Sequence, residues 1–266
     1  MLLDILKHLF FGIIVFVPLE YLMPRFREKK IFRPKWKVDI LYSIVGGIMN
    51  MIGTLFILAV GYTLLSPLVP PPLKELVSSQ HFIVQAIEVM IIADIGYYLV
   101  HRLFHQVPFL WKFHAIHHSI EEMDWLAAHR VHPVDQSLTR GISLIIPSIL
   151  GFSPIAFTIF GLIFGWHSLL KHSNVNIGFG PLRWIMASPI YHHWHHADQE
   201  EAIDKNFAGQ FPLIDILMGT AIMSEPPSPE SYGTKTKVPD NFVDQIFTPF
   251  RREPKANTVT EQLQES

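Results

Sequence analysis

The sequence predicts an all-α integral-membrane protein, a helical bundle of about four spans with a helical cap. Two observations predict this class. Of the 266 residues, 49% are hydrophobic and only 17% are charged, which exceeds the apolar bias of an ordinary soluble domain. Four apolar stretches also approach the about 20 residues that a helix needs to cross a ~30 Å hydrocarbon layer. These stretches are 2–23, 40–66, 82–100 and 142–170.

The first two stretches differ in quality. Asp4, Lys7 and Glu20 leave the first stretch an uninterrupted apolar core of only 9–19, so we expect this helix to be tilted or anchored by its ends. The second stretch contains no charged residue over 40–66 and is the clearest span.

The fourth stretch allows two structures. Pro147, Gly151 and Pro154 interrupt it, and such residues break or kink helices. It is either one long span or a hairpin of two helices, and the sequence leaves both open.

Charge bias predicts the orientation of the bundle. The loop at 24–37, "PRFREKKIFRPKWK", carries seven Lys or Arg residues and one acid, Glu28, which is typical of a cytoplasmic loop. The next loop carries only Lys74 and Glu75 and would lie outside. A hairpin in the fourth stretch then places all the histidine clusters on the cytoplasmic side, whereas a single span there would not.

Composition also excludes several classes of chemistry. The sequence has no cysteine, which rules out disulfides, thiolate haem and iron–sulfur clusters within these residues, so a redox metal would need histidine and oxygen ligands. The formal net charge of −2 gives no sign of a nucleic-acid partner.

Nine of the fifteen histidines fall in three clusters, "HRLFH", "HAIHH" and "HHWHH". On a helix, residues three and four apart share a face, so each cluster directs two or three imidazoles the same way. His172 ends the fourth apolar stretch at the same depth and is a further candidate. The predicted metal ligands are His101, His105, His114, His117, His118, His172, His192, His195 and His196.

Eight or more imidazoles exceed the needs of one ion and predict two. Imidazole suits zinc, copper, iron and nickel alike. A lipid-embedded pocket favours a redox metal, because oxygen chemistry on an unactivated C–H bond needs one. The rival functions are a zinc-dependent membrane hydrolase, which usually needs a carboxylate base such as that of HExxH, and a metal transporter, whose ligands would lie inside the spans.

The three clusters resemble those of one known family. "HRLFH", "HAIHH" and "HHWHH" follow the HxxxH, HxxHH and HxxHH boxes of the fatty acid hydroxylase/sterol desaturase superfamily, and "DIGYYLVHRLFH", "AAHRVHPVD", "KHSNV" and "DKNFAGQFPLIDILMGT" extend the likeness over roughly 85–220. The resemblance implies a membrane anchor with a cytosolic helical cap, two irons, molecular oxygen as co-substrate and a separate electron donor, either a reductase with ferredoxin or a cytochrome.

The resemblance also implies the reaction class. Members hydroxylate or desaturate fatty acyl chains, sterols and related lipids, so we expect an O2-dependent lipid hydroxylase or desaturase; an ether-lipid or carotenoid monooxygenase is the alternative within the superfamily. Together with the composition, it divides the chain into anchor spans with the basic loop at 1–84, a di-iron catalytic region at 85–224, and a polar, Pro-rich extension at 225–266 that we expect to be partly disordered.

Several residues are candidates for additional ligands or for groups that orient the ligands. Asp94 and Tyr98 share a helical face with the first box, so Asp94 could accept from a ligating imidazole, tie the span to the cap, or pair with Arg102 or Arg130. His193 offers an alternative to His192, whose spacing repeats the second box. The full set is His132, His167, His193, His129, Asp94, Tyr98, Asp198, Asp204 and Asn206.

Overall fold

The computed structural model describes residues 2–223 and 229–251. Within these residues the chain is helical and forms no strand, only two isolated β-bridges, so the predicted all-α class is confirmed. The α-helices are α1 Leu2–Leu22, α2 Trp36–Leu41, α3 Gly47–Leu65, α4 Pro71–Ser78, α5 Phe82–Gln106, α6 Pro108–His118, α7 Pro133–Leu150, α8 Pro154–His172, α9 Pro189–His195, α10 Pro212–Met218 and α11 Phe242–Phe247.

Four helices are long and apolar enough to cross a membrane, as the sequence predicted. They are Leu2–Leu22, Trp36–Leu68, Phe82–Gln106 and Pro154–His172, of 21, 33, 25 and 19 residues. The second joins α2 and α3 through a π-helical turn at Tyr42–Gly46, which inserts one residue into the hydrogen-bond ladder without breaking the helix. The chain is therefore a multi-pass membrane protein.

The fourth apolar stretch is a hairpin of two helices. Helix α7 ends at Leu150 and is followed by Gly151, whose φ of +87° is the left-handed conformation that glycine adopts at no steric cost. Helix α8 begins at Pro154, where a proline is tolerated because the first helical N–H needs no partner. Because the chain turns back here, the end of α8 returns to the same end of the bundle as the end of α5.

Small residues let the membrane helices approach closely. Gly96 of α5 faces α7 so tightly that a Cβ built there would lie 2.8 Å from the Cα of Ser143, and a Cβ on Gly141 would lie 2.7 Å from a methyl of Ile57 on α3. Close backbone approach at small residues is the usual basis of helix packing in membranes. Helix α7 is thereby held between α3 and α5.

The described part of the polar extension packs on the helical cap, by which we mean residues 107–132 and 173–223, outside the long helices. His132 donates to the carbonyl of Ile246 at 3.0 Å, and the rings of Phe113 and Phe250 lie 5.3 Å apart. Residues 229–251 therefore contact the cap at these points, while the side chains of Val243, Phe247 and Phe250 stay exposed. The disorder predicted for the end of this extension falls on 252–266, outside the described residues.

Substitution of Gly96 by alanine is expected to lower the thermal midpoint of the protein. The new methyl meets backbone rather than a flexible side chain, and overpacking of this kind costs about 1–3 kcal/mol. Gly161→Ala in α8, where a Cβ meets no atom within 4 Å, is the matched control and should leave stability unchanged or slightly raised. Equal midpoints for the two variants would contradict this account of α5 and α7.

Candidate metal centre

Four segments bring nine histidines together at one end of the bundle. They are the last turns of α5, the end of α6, the end of α8 and the short helix α9. The histidines form two groups, within each of which one nitrogen from every ring lies within 4.8 Å of the others. The first group is His101, His105, His114, His118 and His195; the second is His117, His172, His192 and His196.

The helical repeat explains how each HxxHH box serves both groups. His114 and His118 are four residues apart and face the first group, whereas His117 faces the second. The third box is divided in the same way, with His192 and His196 in the second group and His195 in the first. Residues four apart share a helix face, and the adjacent residue lies about 100° around the axis. Each box therefore links the two groups.

The protons on five of the rings are positioned by hydrogen bonds at Nδ1. The acceptors are backbone carbonyls for four rings and a carboxylate for the fifth. A carbonyl oxygen only accepts, so the proton lies on Nδ1 and the Nε2 lone pair is free. The bonds run from His101 to Phe207 O at 2.7 Å, His117 to Arg130 O at 3.0 Å, His172 to Ser168 O at 2.8 Å, His195 to Lys205 O at 2.7 Å and His114 to Asp135 at 2.7 Å.

The free Nε2 atoms point at one another. Those of His101 and His114 are 3.0 Å apart, and those of His172 and His117 are 3.3 Å apart. In both pairs Nδ1 carries the proton, so two lone pairs face each other and no hydrogen bond joins the rings. A cation between the two rings removes this repulsion. If each metal–nitrogen bond is about 2.1 Å long and the two bonds meet at a right angle, the two nitrogens lie about 3.0 Å apart.

Unpartnered nitrogens in the same groups point to the same ligand. His105 Nε2, His192 Nδ1 and both ring nitrogens of His196 are buried and have no hydrogen-bond partner. A buried polar atom left without a partner costs about 1–3 kcal/mol. The two groups therefore fit metal ions on the chemistry of their donors.

Burial keeps these rings neutral. It lowers the pKa of His114 and of His117 to about 3, and it lowers the pKa of His118, His195 and His196 well below the ordinary value. Metal ligation requires neutral imidazole. At neutral pH the groups therefore present lone pairs rather than positive charge.

Asp94 and Tyr98 of α5, which were candidates for orienting a ligating imidazole, contact backbone amides and a hydroxyl instead. Asp94 accepts from the amides of Gln210 and Phe211 at 2.9 and 2.8 Å, so it ties the span to the cap and pairs with neither arginine considered above. Tyr98 shares a 3.0 Å hydrogen bond with Thr220. Both residues fix the segment whose Phe207 carbonyl accepts from His101.

Four further candidate histidines lie outside the two groups. His132 caps α7 by accepting from Val134 N, and His167 donates to the carbonyl of Ala187. His193 shares a hydrogen bond with the hydroxyl of Tyr232. The ring of the fourth, His129, packs edge-on against His8. The structure thus gives the first three of these rings other partners.

The three polar residues after the third box have different partners. Asp204 lies 3.5 Å from His105 Nδ1 and can orient that ring. Asn206 bonds the backbone of Tyr191 and Ile222, and Asp198 accepts from Ser231. Of the three, only Asp204 contacts a grouped histidine.

Sequence reasoning missed Asp135 and Asp215. Asp135, in the first turn of α7, holds the Nδ1 proton of His114. Asp215 accepts from the amides of Phe207 and Ala208 and so fixes the carbonyl that holds His101. An acid three residues beyond His132, in "HPVD", was the available signal for Asp135; nothing local marks Asp215.

Asp135→Asn is expected to weaken metal binding about 10- to 100-fold, because loss of a partner behind a ligand usually has this effect. The measurement is the metal content of purified protein after dialysis against a graded chelator series. Asp198→Asn removes a carboxylate that contacts no grouped histidine and serves as control. Equal metal retention by the two variants would show that Asp135 does not act through His114.

The metal-free protein is expected to lose stability as the pH falls below about 6.5. The unfolded chain binds protons at the ordinary histidine value of about 6.5, whereas folded His114 and His117 do so only near pH 3. Protons therefore favour the unfolded state between these values. The thermal midpoint should drop between pH 7.5 and 5.5, and His81→Ala, at an exposed position, should keep this slope. A midpoint independent of pH would contradict the buried neutral state.

Comparison with known proteins identifies the family of the chain. The family model for fatty acid hydroxylase matches residues 86–220. The chain is 31% identical over 170 residues to the ornithine lipid hydroxylase OlsE of Rhizobium tropici. This match covers 64% of this chain and 51% of that protein. It is 35% identical over 134 residues to the alkylglycerol monooxygenase of Danio rerio, covering 48% of this chain and 28% of that protein.

A more distant relative is the human cholesterol 25-hydroxylase, 25% identical over 159 residues, covering 58% of this chain and 56% of that protein. No solved structure matches the chain. The chain spans about half the length of OlsE and of the human sterol enzyme, and just over a quarter of the alkylglycerol monooxygenase. Since the family match covers half of the residues and includes all three histidine boxes, the chain belongs to the fatty acid hydroxylase family.

Proposed function

We propose that this protein is a membrane-bound, metal-dependent oxygenase that hydroxylates or desaturates a C–H bond of a lipid. The observation that carries the proposal is the convergence of nine imidazoles, eight of them buried, in two groups, with the Nε2 lone pairs of five rings directed inward. Membership of the fatty acid hydroxylase family supports the proposal, and so do relatives that are named as a lipid hydroxylase and a monooxygenase. A fatty acyl chain, a sterol or a related lipid is the substrate class, with ether lipids and carotenoids as alternatives.

The two groups would hold two iron ions, five histidines around one and four around the other. Bound iron would supply the redox chemistry with O2 that an unactivated C–H bond requires. The protein's part is to hold the rings neutral, fix their orientation through Nδ1 and keep the site dry. His101, His114, His117 and His196 are each no more than 5% exposed, so bulk water is largely excluded from the ligands.

This assignment is favoured over the rival functions by the composition of the site. Both groups consist of histidine alone in the described residues, whereas a zinc hydrolase usually places a carboxylate base beside the metal. The groups also lie at the ends of α5 and α8 and on the cap, whereas a transport path would place ligands at the middle of the spans.

We propose that the metal centre faces the cytoplasm. The basic loop that follows α1 lies against the residues after α8, since Arg25 N donates to the carbonyl of Asn174 at 3.1 Å. Loops rich in Lys and Arg stay on the cytoplasmic side. Electrons would come from a separate reductase through ferredoxin or a cytochrome. Residues 1–84 would serve as the anchor and 85–224 as the catalytic region.

Purified protein is expected to contain about two iron ions per chain and to consume O2 when both a reductant and a lipid are added. His172→Ala should lower the iron content and abolish lipid-dependent O2 consumption, because it removes a ligand from the second group. The matched control is His167→Ala, a buried histidine on the same helix whose Nε2 donates to Ala187 O.

The control should retain iron. Full activity without oxygen, together with stoichiometric zinc, would contradict the proposal, and so would equal iron loss in the two variants.

A further inference from the structure

A cavity of about 590 Å³ lies among α1, α3, α5, α7 and α8. Its volume is within the range of about 300–1,000 Å³ that is usual for small-molecule sites. One part of its wall is polar, with Gln136, Arg140 and His129, and another is apolar, with Phe157 and Phe160. The cavity is therefore amphiphilic.

The polar part of the cavity adjoins the histidine groups. Tyr97 lines the cavity, and its ring lies 5.2 Å from the ring of His101. Ser168 also lines it, and its carbonyl accepts from His172. The cavity thus shares its wall with both groups. Phe157 and Phe160, at the start of α8, lie three to four turns from His172 and form the far end.

Arg140 places a positive charge in this polar part. With its amide oxygen facing the guanidinium, Gln136 accepts from Arg140 Nε at 2.7 Å and from Nη2 at 2.8 Å. The guanidinium carbon lies 5.5 Å from the centre of the Phe164 ring. Among residues 2–223 and 229–251, no carboxylate forms an ion pair with Arg140, although Asp4 of α1 lies on the wall of the same cavity.

A guanidinium in this setting needs an anion. Charged groups among membrane helices are costly unless they are paired, and they mark substrate sites by default. Arginine binds carboxylate and phosphate with directed, charge-assisted hydrogen bonds. Gln136 is neutral and occupies only two of the five N–H groups, so it orients the guanidinium without cancelling its charge.

The depth of Arg140 follows from the register of α7. Asp135, which binds His114, is five residues earlier on this helix, so Arg140 lies about 7.5 Å further along its axis. Helix α5 runs beside it in the opposite direction, with Gly96 against Ser143. Arg140 is therefore one to two turns from the histidines, on the cavity side.

We infer that the cavity binds the lipid substrate and that Arg140, oriented by Gln136, binds an oxyanion of that lipid, a carboxylate or a phosphate. The apolar chain extends toward Phe157 and Phe160. This inference rests on the proposed function and narrows its substrate class to anionic lipids. In this orientation the C–H bonds beside the oxyanion lie nearest to the histidines. The far end of the lipid chain points away from them.

The test is equilibrium binding of three probes with the same hexadecyl chain length: palmitic acid, hexadecyl phosphate and hexadecanol. The protein is the purified metal-containing form in phosphatidylcholine nanodiscs, without oxygen or reductant, so that no turnover occurs. At least one anion should bind about tenfold or more tightly than the alcohol. The tighter of the two anions identifies the source of the oxyanion.

Arg140→Gln should lower the affinity for that anion about tenfold or more and leave hexadecanol binding unchanged, whereas Arg140→Lys should keep a preference for the anion. Arg27→Gln removes a charge from an exposed position of the basic loop and should change neither affinity. A similar loss in the Arg27 variant would show that the effect is general charge attraction, and would overturn the inference.

The three probes are compared on the unsubstituted protein. Misfolding of a variant therefore cannot affect the measured difference in affinity. Hexadecanol binding as tightly as both anions would overturn the inference by itself. Because binding is measured without turnover, a protein that binds anions selectively but consumes no oxygen would refute the proposed function while leaving this site intact.

Discussion

The position of the proton on the imidazoles is the constraint on which the candidate metal centre depends. Acceptors at Nδ1 hold that proton on the outer side of five rings, and the lone pairs of Nε2 are left facing inward. Without these acceptors a neutral ring could adopt either tautomer. Inward N–H groups would repel a cation, so these five outward protons are what allows the converging rings to act as ligands.

The rest of the fold keeps these acceptors in place. The carbonyl of Arg130, which holds His117, is fixed because the Arg130 side chain forms a buried ion pair with Asp39 of α2 at 2.5 Å. Asp39 also binds Arg33, whose guanidinium contacts Asp124 at 2.7 Å. Arg33 of the basic loop therefore stabilises the fold through these ion pairs. The membrane helices and the loops between them thus act on the metal centre through backbone carbonyls.

Sequence alone predicted the histidine groups well because their signal is local. The 3.6-residue repeat puts histidines four apart on one face, and His172 followed from the depth at which an apolar stretch ends. The acceptors of the Nδ1 protons have no such signal. A carbonyl such as that of Phe207 belongs to every residue, and it meets His101 only because Asp94 and Asp215 hold its loop. Arg140 has no local signal for a similar reason, since its lack of a carboxylate partner in the described part of the chain is a property of three-dimensional packing.

The most direct test of the metal centre is a crystal structure of the iron-loaded protein with diffraction data collected on both sides of the iron absorption edge. Anomalous scattering then locates iron independently of the protein atoms. We expect two anomalous peaks, one within bonding distance of His101 and His114 and the other within bonding distance of His117 and His172. A single peak, or peaks bonded to His132, His167 or His193 in place of these rings, would contradict the account.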